Sequence, residues 1–142
     1  MLAEGSALES KLVIVVRDDL PAAQAANAAA VLGLALGGRL TGSVAPDSPD
    51  ASGALHAGLN PHPVPTLAAT SEELQDLHDR ALLLEDAVVV GFNEVARRSR
   101  TYAEYVEALA AAHPDDIDFV GLAILGPRNQ VTKLTKRLSL LS

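Results

Sequence analysis

A continuous run of apolar, mostly β-branched residues between Lys11 and Arg17 constrains the fold more than any other feature of this chain. Its interior, Leu-Val-Ile-Val-Val, shows no alternation of polar and apolar residues. Such a run is typical of a strand that is covered on both faces. Two further apolar runs follow at 87–92 and 119–125. Because helical patterns separate these runs, the sequence predicts a layered α/β domain with a parallel or mixed sheet.

The segment after the first run predicts a helix over 21–36. Pro21 suits the first helical position, where its missing N–H has no partner, and strong helix formers continue until a Gly-Gly pair ends the pattern. Gln24 and Asn27 are the only polar side chains between positions 22 and 36. A helix that is apolar on nearly every face must be covered nearly all round. We therefore expect this helix to pack on the sheet and on a partner, which predicts a homodimer.

Turn and capping signals define the remaining elements. Residues 39–63 contain most of the prolines and predict a long loop. Residues 64–69 carry a proline and predict an edge strand. Thr70 with Glu73, and Thr101 with Glu104, match the capping-box pattern. The helices predicted after these signals cover 70–85, 101–112 and 131–135.

Composition narrows the classes of function. A chain of 142 residues fits about one domain and buries a core without disulfides. Cysteine is absent, which excludes thiolate metal sites and cysteine nucleophiles. The net charge of −7 and the aromatic content of 3% disfavour binding to nucleic acid. Because residues 1–92 balance to −8 and residues 93–142 to +1, an anion-binding surface is expected in the C-terminal third.

Location and domain boundaries also follow from the pattern. No segment approaches the roughly 18 uninterrupted apolar residues of a membrane span, and the acidic N-terminus does not resemble a signal peptide. We therefore expect a cytoplasmic protein that does not associate with membranes. We expect residues 1–10 to be flexible and 11–142 to form a single domain.

Two amides and a cluster of arginines are the first candidates for a site. Gln24 and Asn27 share one face near the start of their helix, just beyond the end of the first strand. They are equally consistent with buried amides that satisfy loop backbone or each other across a subunit interface. Arg97, Arg98 and Arg100 precede a predicted helix and could bind an anion. A solvated basic turn is the favoured interpretation, because arginines adjacent in sequence point in different directions.

Metal and nucleophilic chemistry find less support. His56 and His62 lie in the long loop near Asp47 and Asp50, but no helical ligand spacing is present. The chain has no nucleophile elbow, phosphate-binding loop or dinucleotide fingerprint. We expect no metal and no cofactor.

Both ends of the chain resemble type II peptidyl-tRNA hydrolases, the archaeal and eukaryotic type. The segment from Lys11 to Leu20, KLVIVVRDDL, is similar to the first strand of that family, and AAQAANAA at 22–29 is similar to its A-A-Q-C-x-H-A-A helix. The C-terminal residues from Gly126 to Leu141 resemble its closing pattern. The resemblance implies a three-layer α/β/α domain around a four-stranded mixed sheet, usually dimeric. The chain looks like a bacterial branch of that fold whose function is not assigned.

The departures from the family pattern bear on its chemistry. The family's G-K-G-K loop, which supplies the lysine that handles the ester, is absent because Leu20 and Pro21 run directly into the helix. Asn27 stands where the family has histidine, and a segment beginning at Phe92 replaces its D-A-G-x-T-Q loop. An additional helix follows at 101–112. The resemblance therefore implies the scaffold without the hydrolase chemistry.

We predict a site at the carboxyl ends of the strands 11–17 and 87–92. The expected occupant is a protein partner or a small ligand, which could be an anion. Whether the protein is an enzyme stays open. The alternatives are a peptidyl-tRNA hydrolase with a rearranged site and a purely structural interaction module; tRNA binding is not expected. The residues predicted to line the site are Arg17, Asp19, Gln24, Asn27, Asn93 and Arg97.

Overall fold

The computed structural model describes residues 9–142. The predicted flexible segment 1–10 lies outside the described residues except for its last two positions, and Ser10 is already a buried residue of the first strand. The strands are β1 (Ser10–Arg17), β2 (Ser48–Pro49), β3 (Leu55–His56), β4 (Thr66–Ala69), β5 (Val88–Asn93), β6 (Phe119–Pro127) and β7 (Ser139–Leu140). The helices are α1 (Ala22–Gly37), α2 (Ser71–Ala81), α3 (Glu94–Arg98), α4 (Tyr102–Ala110) and α5 (Arg128–Thr135), with a 3-10 turn at Pro114–Asp116.

The main sheet is mixed, as predicted, and has five strands in the order β5-β6-β1-β4-β7. β1 and β4 are parallel, whereas β6 is antiparallel to both β1 and β5. The carboxyl ends of β1, β4 and β5 therefore lie at one edge of the sheet, together with the amino end of β6. Four of the six site residues predicted from the sequence, Arg17, Asp19, Asn93 and Arg97, lie at this edge.

Two predictions about the sheet were wrong for a single reason. The expected count was four strands, with 64–69 at the edge, but β7 pairs outside β4 through Leu67 and Leu140. β7 has only two residues, and both are exposed. A strand of two residues is too short to show a recognisable period-2 pattern, so the pairing was not visible in the sequence.

The two faces of the sheet bury separate cores. Along β1, Val13 and Val15 face α2 and α5 and pack against residues such as Leu74 and Val131. The intervening residues of β1 face α1, where Leu32 is fully buried. The sheet is therefore covered by helices on both faces, which explains the continuous apolar run of its central strand.

Several helix boundaries differ from the prediction. Pro21 is the residue before α1 rather than its first residue, and α2 and α4 are shorter than expected. The short helix α3 was not predicted; it begins because the side chain of Asn93 accepts a hydrogen bond from the N–H of Ala96 at 2.9 Å. His78 of α2 is half-buried, and its ring lies 4.4 Å from the ring of Phe119.

A bulge lies at the carboxyl end of β5. The register between β5 and β6 shifts after Phe92, so that Asn93 pairs with Phe119. The neighbouring Gly121 has no room for a side chain, since a Cβ there would lie 2.8 Å from the carbonyl oxygen of Val15 and 3.0 Å from Leu32. Bulges of this kind redirect the residues at the end of a strand, and here the end of β5 is followed directly by α3.

Candidate functional site

Arg17 is the centre of an ionic cluster at the carboxyl end of β1. Its guanidinium lies 2.6 Å from the carboxylate of Asp19, 3.2 Å from that of Glu94 and 3.4 Å from that of Asp118. The side chain is only 11% exposed. Burial is the largest single influence on the pKa of Arg17 and lowers it. The neighbouring carboxylates, Asp19 first, together outweigh burial, so that the pKa of Arg17 is raised. Arg17 therefore joins β1 to α3 and to the residue that precedes β6.

Glu94 is the acidic counterpart of Arg17 and was not among the site residues predicted from the sequence. Its side chain is 9% exposed and accepts a bidentate hydrogen bond from Arg97, with the shortest contact at 2.7 Å. Arg98 lies 3.4 Å away. The hydrogen bond from Arg97, assisted by Arg17, lowers the pKa of Glu94 despite its burial. Glu94 is therefore a carboxylate at neutral pH and is held by three guanidinium groups.

Local helical geometry brings Glu94 and the arginines together. Arg97 and Arg98 follow Glu94 by three and four residues, the spacing at which side chains meet on a helix. Asn93 caps the same helix and is itself buried. An asparagine before a Glu-x-x-Arg-Arg segment is a signal from which the sequence alone could have predicted both the helix and the ion pair.

Four of the six predicted site residues thus gather at one edge of the sheet, and two do not. Arg17, Asp19 and Arg97 belong to the ionic cluster, and Asn93 positions the helix that carries part of it. The side chains of Gln24 and Asn27 are exposed on α1, and among the described residues neither forms a hydrogen bond with the cluster. Within the single chain they are not buried amides, because Ala25 and Ala28 occupy the face of α1 that packs on the sheet; their burial across a subunit interface stays a prediction.

The chemistry available to the cluster is limited. Each of its guanidinium groups, on Arg17, Arg97 and Arg98, faces at least one carboxylate. Its carboxylates, on Asp19, Glu94 and Asp118, each lie within 3.4 Å of the guanidinium of Arg17, and the ionised Glu94 is already hydrogen-bonded to Arg97. The cluster is therefore suited to holding the strand ends together rather than to binding an anion or moving a proton.

The histidines and aspartates considered for a metal site form hydrogen bonds with different partners and do not converge on one point. His56 lies 2.8 Å from the carboxylate of Asp50, whereas Asp47 accepts the N–H of Gly58. His62 contacts Asn60. Within residues 9–142, no group of three or more metal-binding side chains comes together.

An apolar cavity of about 600 Å³ lies on the α1 side of the sheet, away from the ionic cluster. It is bounded by the C-terminal half of α1, by β1 and β4, and by the segment between α1 and β4. None of its lining residues carries a charge. The lining residues are Leu12, Ile14, Ala29, Gly33, Leu34, Leu36, Gly37, Gly38, Leu40, Ser43, Val44, Asn60, Val64 and Thr66.

Two glycines of α1 widen this cavity. A Cβ added at Gly33 or at Gly37 would meet no heavy atom within 4 Å. The positive-φ glycines of the described chain are Gly42 and Gly53, so backbone conformation does not require glycine at 33 or 37. Glycine inside a helix costs about 1 kcal/mol relative to alanine. In a helix otherwise rich in alanine, these two positions leave space where a side chain would stand.

Comparison with known proteins assigns this chain to a family. The model of the family described as "Protein of unknown function (DUF2000)" matches residues 10–142. The chain belongs to this family. A solved structure of another protein of unknown function, Atu0240 from Agrobacterium tumefaciens strain C58, is similar to this DUF2000 protein with a TM-score of 0.85 and 24% identity. The match covers 94% of this chain and 98% of that one, and it shows a shared fold.

Neither finding links the DUF2000 protein to peptidyl-tRNA hydrolases, so that resemblance stays a prediction. Among curated proteins, none matches this sequence. No helix in the described part of the chain is long and apolar enough to cross a membrane.

Proposed function

We propose that this protein binds a small, uncharged and mainly apolar molecule in the cavity beside α1. The observation that carries the proposal is a cavity of about 600 Å³ whose lining includes no charged residue. Binding sites for small molecules typically enclose about 300–1,000 Å³ and are lined mostly by apolar side chains with a few polar groups. Three polar side chains, those of Ser43, Asn60 and Thr66, meet that description here.

The polar side chains at the cavity differ in their availability. The amide of Asn60 already bonds to His62, with its nitrogen 2.8 Å from the carbonyl oxygen. The hydroxyl of Thr66 lies 3.4 Å from the carbonyl oxygen of Val64. Ser43 is half-buried and has no hydrogen-bond partner among the described residues. We therefore assign to Ser43 the hydrogen bond to a polar group of the ligand.

The proposal describes a binding protein rather than a peptidyl-tRNA hydrolase. An apolar cavity offers no group for ester hydrolysis, and the ionic cluster offers no unengaged acid or base. A cytoplasmic location, inferred from the sequence, is part of the same proposal.

The test uses Nile red, an uncharged dye whose fluorescence rises in apolar surroundings. We expect saturable fluorescence with the wild-type protein, and loss of that signal when Gly33→Leu fills the mouth of the cavity. Ala30→Leu adds a similar side chain at an exposed position of the same helix that does not line the cavity. The proposal fails if both variants bind the dye as the wild type does.

A second copy of this chain is the other candidate for this face, and the expected homodimer remains a proposal. Leu34, Val44 and Val64 line the cavity and are exposed, Leu34 by 80%. Light scattering at micromolar concentration, with and without the dye, separates the two occupants. A dimer that dissociates as the dye binds would mean that the second copy covers the cavity.

A further inference from the structure

A second cleft lies on the opposite flank of α1, between that helix, β5 and the segment that joins α3 to α4. Its volume is about 410 Å³. We refer to it as the basic cleft. Its lining residues are Val31, Leu32, Ala35, Arg39, Val90, Gly91, Phe92, Ala96, Ser99, Arg100, Thr101, Tyr102 and Tyr105.

The charge of this cleft is opposite to that of the chain. Arg39 and Arg100 line it, and none of its lining residues is acidic, although the whole chain has a net charge of −7. Arg39 donates to the carbonyl oxygen of Ala35 at 3.0 Å. Neither guanidinium forms an ion pair within the described chain, in contrast to the three arginines around Glu94.

The segment from α3 to α4 separates this cleft from an acidic one. The other side of the segment borders a cleft of about 520 Å³ lined by Glu94, Glu104, Asp116 and Asp118, with Arg98 as its cation. Glu104 accepts a hydrogen bond from the backbone N–H of Arg100 at 3.0 Å. The carboxylate thus engages the backbone of Arg100 from the acidic side and leaves the guanidinium of Arg100 lining the basic cleft.

The remaining lining of the basic cleft is apolar and aromatic. Val90 and Phe92 come from β5, while Tyr102 and Tyr105 come from α4. The two tyrosine rings pack edge to face with centroids 5.5 Å apart. Tyr102 is 77% exposed, so that its ring is free to contact a ligand. A site that combines arginine with such surfaces favours an anion that also carries a ring.

We propose that the basic cleft binds a small organic anion, a phosphate or carboxylate attached to an aromatic ring. Arg39, just after the end of α1, and Arg100, in the α3–α4 segment, bind the anionic group, and the tyrosines contact the ring. The arginine fork matches the geometry of both phosphate and carboxylate oxygens. This site does not depend on the apolar cavity, since Leu32 and Val31 line one and Gly33 and Leu36 the other.

The experiment measures the binding of phenyl phosphate and of benzoate by calorimetry, with phenol as the uncharged control. We expect phenyl phosphate or benzoate to bind and phenol not to bind. Arg39→Gln and Arg100→Gln should each weaken binding by about tenfold or more, because a hydrogen bond to a charged group is lost. Tyr102→Ala should weaken the binding of the aromatic anion further than that of inorganic phosphate.

Arg98→Gln is the matched control. It removes the same charge two residues from Arg100, but Arg98 faces the acidic cleft and is 77% exposed. The proposal predicts that this variant binds the probe like the wild type. Equal weakening by Arg98→Gln and Arg100→Gln would show an effect of net charge alone and overturn the proposal, as would the absence of binding by both anions at millimolar concentration. Thermal melting of each variant checks that its fold is intact.

Discussion

The ionic cluster and the basic cleft use the same residue type in opposite ways. Around Glu94, the guanidinium groups lie 2.7–3.4 Å from its carboxylate and each is matched by negative charge. In the basic cleft, Arg39 and Arg100 have no carboxylate partner among residues 9–142, and none of the residues that line the cleft is acidic. Paired charges join elements of the fold, whereas unpaired charges at a cleft are available to a ligand. The difference lies in the partners of each arginine rather than in the number of arginines.

A change of backbone direction separates the two groups. Arg97 and Arg98 lie within α3 and meet Glu94 at helical spacing. The helix ends at Arg98, and the next residue, Ser99, has an extended backbone with ψ of 140°. Arg100 therefore follows a different direction from its neighbours. Arg97 and Arg98 therefore pair with Glu94, whereas Arg100 lines the basic cleft. The interpretation of all three arginines as one solvated basic turn does not describe this arrangement.

The largest expected effect is on the paired region. Glu94→Ala should lower the free energy of unfolding by about 2 kcal/mol, because it leaves the mostly buried Arg17 with only its exposed partners. Urea unfolding measures the change. Arg100→Ala serves as the comparison and should change stability by less than about 0.5 kcal/mol, as exposed substitutions usually do. Equal destabilisation by the two variants would remove the distinction between the regions.

Acidification tests the same pair without removing atoms. The pKa of Glu94 in the folded protein is below its ordinary value of 4.5, chiefly because of the hydrogen bond from Arg97. The ionised group therefore stabilises the fold at neutral pH, and this contribution is lost as pH falls below about 4.5 and through the folded pKa. Urea unfolding at pH 7 and pH 3 should show a smaller decline for Glu94→Gln than for the wild type. Identical declines would mean that Glu94 is not linked to stability.

A smaller and local effect is expected in the long segment before β4. Hydrogen bonds from Ser52, then from His56, lower the pKa of Asp50 to about 2. Its carboxylate also accepts the N–H groups of Ser52 and Ala54. Asp50→Asn should increase amide hydrogen exchange at Ser52 and Ala54 without changing the global melting temperature, because the turn is exposed. A global change would show that this turn supports the core.

The smallest expected signal is hydrolysis of peptidyl-tRNA. Binding the end of a tRNA requires several cationic contacts with phosphate, and the basic cleft offers only Arg39 and Arg100. We expect no turnover above background and no salt-sensitive tRNA binding. Turnover that Asn27→Ala abolishes without loss of stability would instead favour the hydrolase alternative.

Local pattern was sufficient for the layered part of the fold. The run between Lys11 and Arg17 predicted a central strand because both of its faces must be covered, and β1 does pair with strands on both sides. The capping box of Thr70 and Glu73 placed the start of α2, since a cap depends on residues three apart. Four of the six predicted site residues, Arg17, Asp19, Asn93 and Arg97, lie at the sheet edge to which strand order assigned them.

Contacts between distant segments had to be seen in three dimensions. β7 was missed because its pairing with β4 is a matter of backbone hydrogen bonds across more than 70 positions. The burial of Glu94 depends on Arg17, which is equally remote in sequence. The basic cleft exists because the C-terminus of α1 brings Arg39 to the same space as Arg100. Charges far apart in a sequence become partners or neighbours only through packing, so their roles follow from the tertiary structure.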